Sequence, residues 1–160
     1  MSIIGEIAGG LRIVTTVAGW IKPPPRLREL GGRWYSRYQR EDDPHLGEWA
    51  TDLTEVTVRW PRKLEFRNHP SPGGAEYRAE GRFRNEREIV GTWRETRPGA
   101  TAGGTFHLYA DAFGKKLYGI CTGPTGQHRP IYGGWILARE QELLDRAQEE
   151  LAEAMLVCRK

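Results

Sequence analysis

The chain has 160 residues and a formal net charge of +3, enough for one domain with a core and short for two. Arginine supplies most of the positive charge, which suits phosphate or carboxylate partners and equally a solvated outer surface. Its two cysteines, Cys121 and Cys158, form no metal-ligand spacing and are few for a disulfide-stapled secreted domain, so reduced thiols in a cytoplasmic protein are expected.

Residues 1–22 form the first unit. Ile3, Ile7, Leu11, Val14, Ala18 and Ile21 recur at steps of four and three, the stripe of one helix face. A membrane span needs roughly 20 apolar residues, and this segment has that length. Glu6, Arg12 and several glycines make it a marginal lone span, so an interfacial helix or one against a partner fits better. Lys22, Arg26 and Arg28 would suit an anionic lipid surface, which puts the chain peripherally at the inner membrane. The competing reading has the helix covering an end of its own domain. No basic leader precedes the apolar run, so a secretory signal is not expected. Pro23-Pro24-Pro25 stops the helix, and residues 23–31 read as a stiff linker.

From Gly32 to Arg139 the period changes to two. Strands are predicted at Arg33 to Arg40, Thr54 to Trp60, Lys63 to Asn68, Glu76 to Arg84, Arg87 to Glu95, Thr105 to Ala110, Lys116 to Thr122 and Pro130 to Ala138. The links are turn-like (Pro70-Ser71-Pro72-Gly73-Gly74, Pro98-Gly99, Phe113-Gly114), and short links force antiparallel neighbours. The expected fold is mainly β: an eight-stranded antiparallel up-and-down β-barrel with one N-terminal and one C-terminal α-helix. In the fourth strand Tyr77, Ala79, Gly81 and Phe83 share a dry face, opposite Arg78, Glu80, Arg82 and Arg84. Glycine also stands two residues before an aromatic at Trp34, Phe83, Trp93, Phe106 and Trp135, leaving room for a neighbouring ring where the sheet coils.

Residues 140–160 return to helical spacing. Leu137, Leu144, Leu151 and Cys158 are seven apart, Ala147 and Ala154 lie between them, and acidic residues fill the remaining surface. Such a helix can pair with the N-terminal one or self-associate into a homo-oligomer; packing on its own barrel is the default.

No P-loop, GxSxG elbow or HExxH occurs. The four histidines are scattered, and His107 reads as a structural residue of the barrel wall. No catalytic residue, metal ligand or cofactor is assigned, and an enzyme is not expected. A small barrel commonly holds something in its mouth. Arg129 belongs to a polar loop between the last two strands, where Tyr118, Thr122 and Tyr132 could converge. Tyr35, Arg37 and Tyr38 lie on the strand that closes against the last. Rings beside arginine suit a stacked base plus phosphate, hence a small anionic, nucleotide-like ligand and no specific nucleic-acid polymer. The alternatives are a self-assembly module whose Trp and Tyr fill the barrel, and a carrier of an apolar molecule.

Gly32-Arg33-Trp34 together with Arg139 resembles the calycin group (lipocalins, fatty-acid-binding proteins, avidins), in which a G-x-W on the first strand packs near a basic residue beyond the last. That resemblance covers the barrel region and implies a ligand-binding barrel. Gly104-Thr105-Phe106-His107-Leu108, Leu117-Tyr118-Gly119 and Gly133 to Arg139 are similar to the barrel end of membrane-associated anti-phage effectors. This second resemblance implies a cyclic-nucleotide sensor that acts through N-terminal membrane segments. The family carries two spans, where this chain has one apolar segment.

Overall fold

A computed structural model describes residues 25–39, 49–59, 62–70, 75–124 and 130–157. Alternating burial along the strands before the last accompanies a closed barrel. Its strands are β1 (Gly32–Gln39), β2 (Trp49–Arg59), β3 (Lys63–His69), β4 (Tyr77–Phe83), β5 (Glu88–Glu95), β6 (Gly103–Ala110), β7 (Lys116–Pro124) and β8 (Pro130–Ala138). They pair in sequence order, all antiparallel, and β1 meets β8 through Tyr35–Ala138 to Tyr38–Trp135. Closure satisfies both edges of the sheet with backbone hydrogen bonds, the physical reason an up-and-down run of this length curls shut.

The strands match the sequence reading apart from their ends. The largest difference is β2, which begins at Trp49 rather than Thr54. Burial alternates there too, but the polarity is inverted, because Asp52 is buried while Leu53 is exposed.

The core is aromatic and layered. Phe66, Phe106 and Trp135 meet at 5.1 to 5.6 Å between ring centroids, and Tyr77 sits edge-on to Trp135 at 5.7 Å. Leu64, Ile89, Leu108, Leu117 and Leu137 fill the layer below, each fully out of water. Burying such side chains stabilises by ~1.5–3 kcal/mol each, which makes this layer the main holding force. The rings fit because glycines face them. A Cβ on Gly81 would lie 2.8 Å from Phe106 Cζ, and one on Gly91 would run into the Glu80 carbonyl oxygen.

Residues 25–31, expected as an extended linker, instead contain one helical turn, α1 (Pro25–Glu29). Proline at a helix start loses no hydrogen bond, so the triple proline ends where the turn begins. Leu27 and Leu30 are buried, and Leu30 joins the barrel core beside Trp34. This segment crosses one end of the barrel: Gly31 lies near Val58 of β2, and Leu30 near Gly114 of the β6–β7 turn.

Helix α2 (Gln141–Val157) lies on the outer face of β8, β7 and β1. Leu144 and Ala147 pack on Ile136 and Ala138, with Trp49, Leu143 and Leu151 at the margin. Consequently β8 is buried on both faces from Gly133 to Ala138. Of the placements open to this helix from sequence, the barrel's own wall is the one observed. The apolar stripe Ile3, Ile7, Leu11, Val14, Ala18 and Ile21 lies outside the described residues, as does Cys158. Among the described residues no helix is long and apolar enough to cross a membrane.

Candidate functional site

The two ends of the barrel differ chemically. The end under α1 is plugged by Leu27, Leu30 and Trp34 and locked by Arg139. The Arg139 guanidinium lies 4.1 Å from the Trp34 ring centroid and donates to the carbonyls of Arg33 (2.8 Å), Gly31 (2.7 Å) and Glu29. Burial pushes its pKa below the ordinary arginine value, and the three carbonyls hold the charge in place. The Trp34 indole N–H donates to Leu30 O at 2.9 Å, so plug and ring are tied in both directions.

At the other end β1, β3, β5 and β7 finish and β2, β4, β6 and β8 begin. Here the inward positions turn polar. Ser36 and Thr54 are fully buried, Asn68 nearly so, and Asp52 is 5% exposed. Their side chains form one network around the Tyr77 phenol. Thr54 Oγ1 lies 3.1 Å and Ser36 Oγ 3.3 Å from the phenol oxygen, and the Trp135 indole donates to Ser36 Oγ at 3.1 Å. Asn68 spans the next rung: its amide nitrogen donates to Asp52 Oδ2 (2.8 Å) and Ala75 O (2.7 Å), while its oxygen accepts from Tyr77 N (2.7 Å).

Burial pushes the Tyr77 phenol above its ordinary pKa, and the Asp52 charge adds to the rise; the hydroxyls of Ser36 and Thr54 work against it. Tyr77 is therefore a neutral hydrogen-bonding group at physiological pH. Tyr38 stacks edge-on to Tyr77 at 5.6 Å, and Trp93, half-buried, donates to Thr122 O at 3.1 Å. Cys121 completes the wall, its thiol 3.6 Å from Gly133 O. Glu95 stands at the rim in an ion pair with Arg97. This end of the interior thus combines aromatic faces, a buried carboxylate and a carboxamide.

The residues expected from sequence to converge on a ligand are distributed differently. Tyr38 alone of the described members faces the interior. Tyr35, Tyr118 and Tyr132 are exposed on the outside, and Thr122 shares an outer-face hydrogen bond with Thr105 at 2.9 Å. Arg37 also points out and is committed to α2, 2.6 Å from Asp145 and 2.8 Å from Gln148 Oε1. The reason is strand parity: Tyr35 and Arg37 alternate with Trp34, Ser36 and Tyr38, so one set must face solvent when the other faces the core. Arg129 lies outside the described residues. His107 belongs to the wall as expected, but on its outer face, stacked on Tyr109 at 4.7 Å with Nε2 3.4 Å from Glu88 Oε1.

Ser36, Asp52, Thr54 and Asn68 were not singled out from the sequence, and Trp93 was marked there only as one of the aromatics that follow a glycine. A signal was present: Ser36 shares parity with Trp34, and Asn68 with Phe66, so polar residues stood in core positions. Among the described residues no group of three or more His, Cys, Asp or Glu could hold a metal ion.

The strands define the class: a closed eight-stranded antiparallel β-barrel. Two solved structures share the architecture. One is a redesigned β-barrel, 15% identical at a TM-score of 0.53, covering 72% of this chain and 96% of its own. The other is EF1p2_mFAP2b bound to DFHBI, 10% identical at a TM-score of 0.59, covering 71% and 95%. At these identities the similarity is one of fold. No protein-family model and no curated protein matches the chain.

Proposed function

We propose that the chain is a non-enzymatic binding protein that takes a small molecule into the mouth bounded by Tyr38, Asp52, Asn68, Tyr77 and Trp93. The observation that carries this reading is the asymmetry of the interior. One end is sealed with leucine and tryptophan, whereas the other places hydrogen-bonding groups on core positions where apolar ones would stabilise the barrel more simply. A barrel of the same fold bound to DFHBI supports the use of this architecture for a small ligand.

The anionic, nucleotide-like ligand expected from sequence drew on Arg37 and Arg129; the Arg37–Asp145 pair takes the first cation out of the interior, and Arg129 lies outside the described residues. The class of ligand is accordingly read from the inward groups. Residues 1–22 are proposed to act at a membrane surface or in self-association, with the barrel as the cytoplasmic sensing part. Isothermal titration of the full chain against a panel of small cations, neutral aromatics and cyclic dinucleotides tests the binding function. Silence across the panel from folded protein rejects it, and saturable cyclic-dinucleotide binding would restore the anti-phage sensor reading. Liposome co-sedimentation of the chain and of an Ile7→Asp/Leu11→Asp variant tests the N-terminal segment.

A second reading has its own observation. Phe66, Phe106 and Trp135 already occupy the middle of the barrel, as a self-assembly module without a ligand would require. A solution mass above the monomer, unchanged by every compound in the panel, favours that alternative.

A further inference from the structure

We propose that the outer wall of β3, β4 and β5 is a docking surface for a second copy of this chain, which presents the acidic ridge of its α2. The inference goes beyond the binding function above and is independent of it, because it uses side chains that point out of the barrel.

The starting point is the register of the sheet. Arg67 pairs with Arg78 and Arg78 with Arg94, so three arginines stand side by side on neighbouring strands, all exposed. Like charges directly opposite one another destabilise a sheet. Among the described residues no carboxylate forms an ion pair with any of the three. Of the neighbouring acids, Glu65 and Glu80 pair with Lys63 at 3.6 and 2.8 Å, and Glu55, opposite Arg67 on β2, lies 3.8 Å from His69. Glu76 is half-buried and makes no ion pair with the row. An anionic surface laid over the row would offset the repulsion.

The second point is where this chain keeps such a surface. Helix α2 lies on β8, β7 and β1, and β4 is the strand diametrically opposite β8 in the closed order. Acidic helix and arginine row therefore occupy opposite sides of one barrel, and only two copies can bring them together. With Leu144 and Ala147 turned to the barrel, Glu142, Asp145 and Glu149 form the outward ridge, all exposed. Asp145 also holds Arg37, whereas Glu142 and Glu149 have no ion pair among the described residues. Arg146, the one basic residue of α2, stands at the edge of the ridge.

The third point is dimension. Three neighbouring strands span about 10 Å, and Glu142 and Glu149 lie two turns and about 10 Å apart along their helix. A helix laid across the strands thus sets its acids over the arginines. The two surfaces differ and face opposite ways, so the contact is heterologous, and repetition builds a chain or ring instead of stopping at two copies.

Sedimentation velocity of the full-length protein tests this. At low ionic strength the mass should rise with protein concentration beyond two copies. In about 1 M salt, where the Debye length is about 3 Å, it should return to one copy. Arg78→Gln/Arg94→Gln and Glu142→Gln/Glu149→Gln change exposed positions, melting curves verify their folding, and each should weaken association about tenfold. An equimolar mixture is the decisive sample: the intact helix of the first variant meets the intact row of the second, giving a one-to-one pair that grows no further. Wild-type protein that stays monomeric at low salt, association that survives high salt or both variants, or a mixture as monomeric as its parts overturns the assignment. A monomer that instead binds a single-stranded oligonucleotide, with the arginine variant weaker, gives the row to nucleic acid and equally overturns it.

Discussion

The guanidinium of Arg139 lies 4.1 Å over the ring of Trp34, joining the residue just beyond the last strand to the third residue of the first. The same side chain holds three backbone carbonyls of the plug, so one residue fastens both ends of the barrel sequence to each other. Arg139→Ala should lower stability by about 2–4 kcal/mol, the loss of charge-assisted hydrogen bonds plus a ring contact. Arg139→Lys should recover little, because an ammonium cannot present the planar fork. Urea unfolding of the three proteins checks the order. Equal midpoints for Arg139→Ala and wild type would contradict it.

The curvature of the sheet depends on bare backbone at a few positions. At Gly91 an added methyl would run into the Glu80 carbonyl oxygen on the neighbouring strand. Gly91→Ala should therefore destabilise the barrel by about 1–3 kcal/mol through strand displacement. Gly99→Ala, at a turn glycine with φ of 80° and open space around it, should cost about 1 kcal/mol, from the conformation alone. Thermal melts of the two variants separate a packing constraint from a conformational one.

Tyr77 links stability to pH in the alkaline range. Its folded pKa is raised above the ordinary value of 10.0, so the neutral phenol is favoured by folding. That contribution is complete below pH 10 and declines as pH rises, because the unfolded chain releases the proton first. Wild-type stability should fall more steeply above pH 10 than that of Tyr77→Phe. At neutral pH Tyr77→Phe should cost about 1–2 kcal/mol, since Ser36 and Thr54 lose a shared partner. Parallel slopes for the two proteins would show that the phenol is not held neutral.

Helix α2 should be held by its apolar face more than by its charges. Leu144, fully buried between helix and barrel, is expected to cost about 2–5 kcal/mol on truncation to alanine. The Lys116–Glu150 pair, 2.6 Å long but with Glu150 exposed, should contribute under ~1 kcal/mol. Denaturation of Leu144→Ala and Glu150→Gln compares them directly.

Most of the architecture could be read in the sequence because alternation and short turns leave an antiparallel run few options. Trp34, Phe83, Trp93, Phe106 and Trp135 fell on one face from spacing alone, and the structure puts that face inside. The start of β2 was hidden for a physical reason that also hid the site. Asp52 and Thr54 are polar and point in, whereas Leu53 is apolar and points out, so the stretch reads as the inverse of a strand. The polar layer and the missed strand end are one feature: polar groups on core positions. The ligand residues expected from sequence were chosen by nearness along the chain, and parity divided them between the two faces. Arg37 shows the difference most clearly, since its partners Asp145 and Gln148 lie more than a hundred residues away on α2.

The most direct measurement is an amide NMR titration of the full chain with each member of the small-molecule panel, followed residue by residue. The account predicts saturable shifts concentrated at Tyr38, Asp52, Asn68, Tyr77 and Trp93, with the outer residues Tyr35, Tyr118 and Tyr132 unmoved. Shifts centred on those outer tyrosines and sparing the mouth, or no saturable shift anywhere in the barrel, would contradict it.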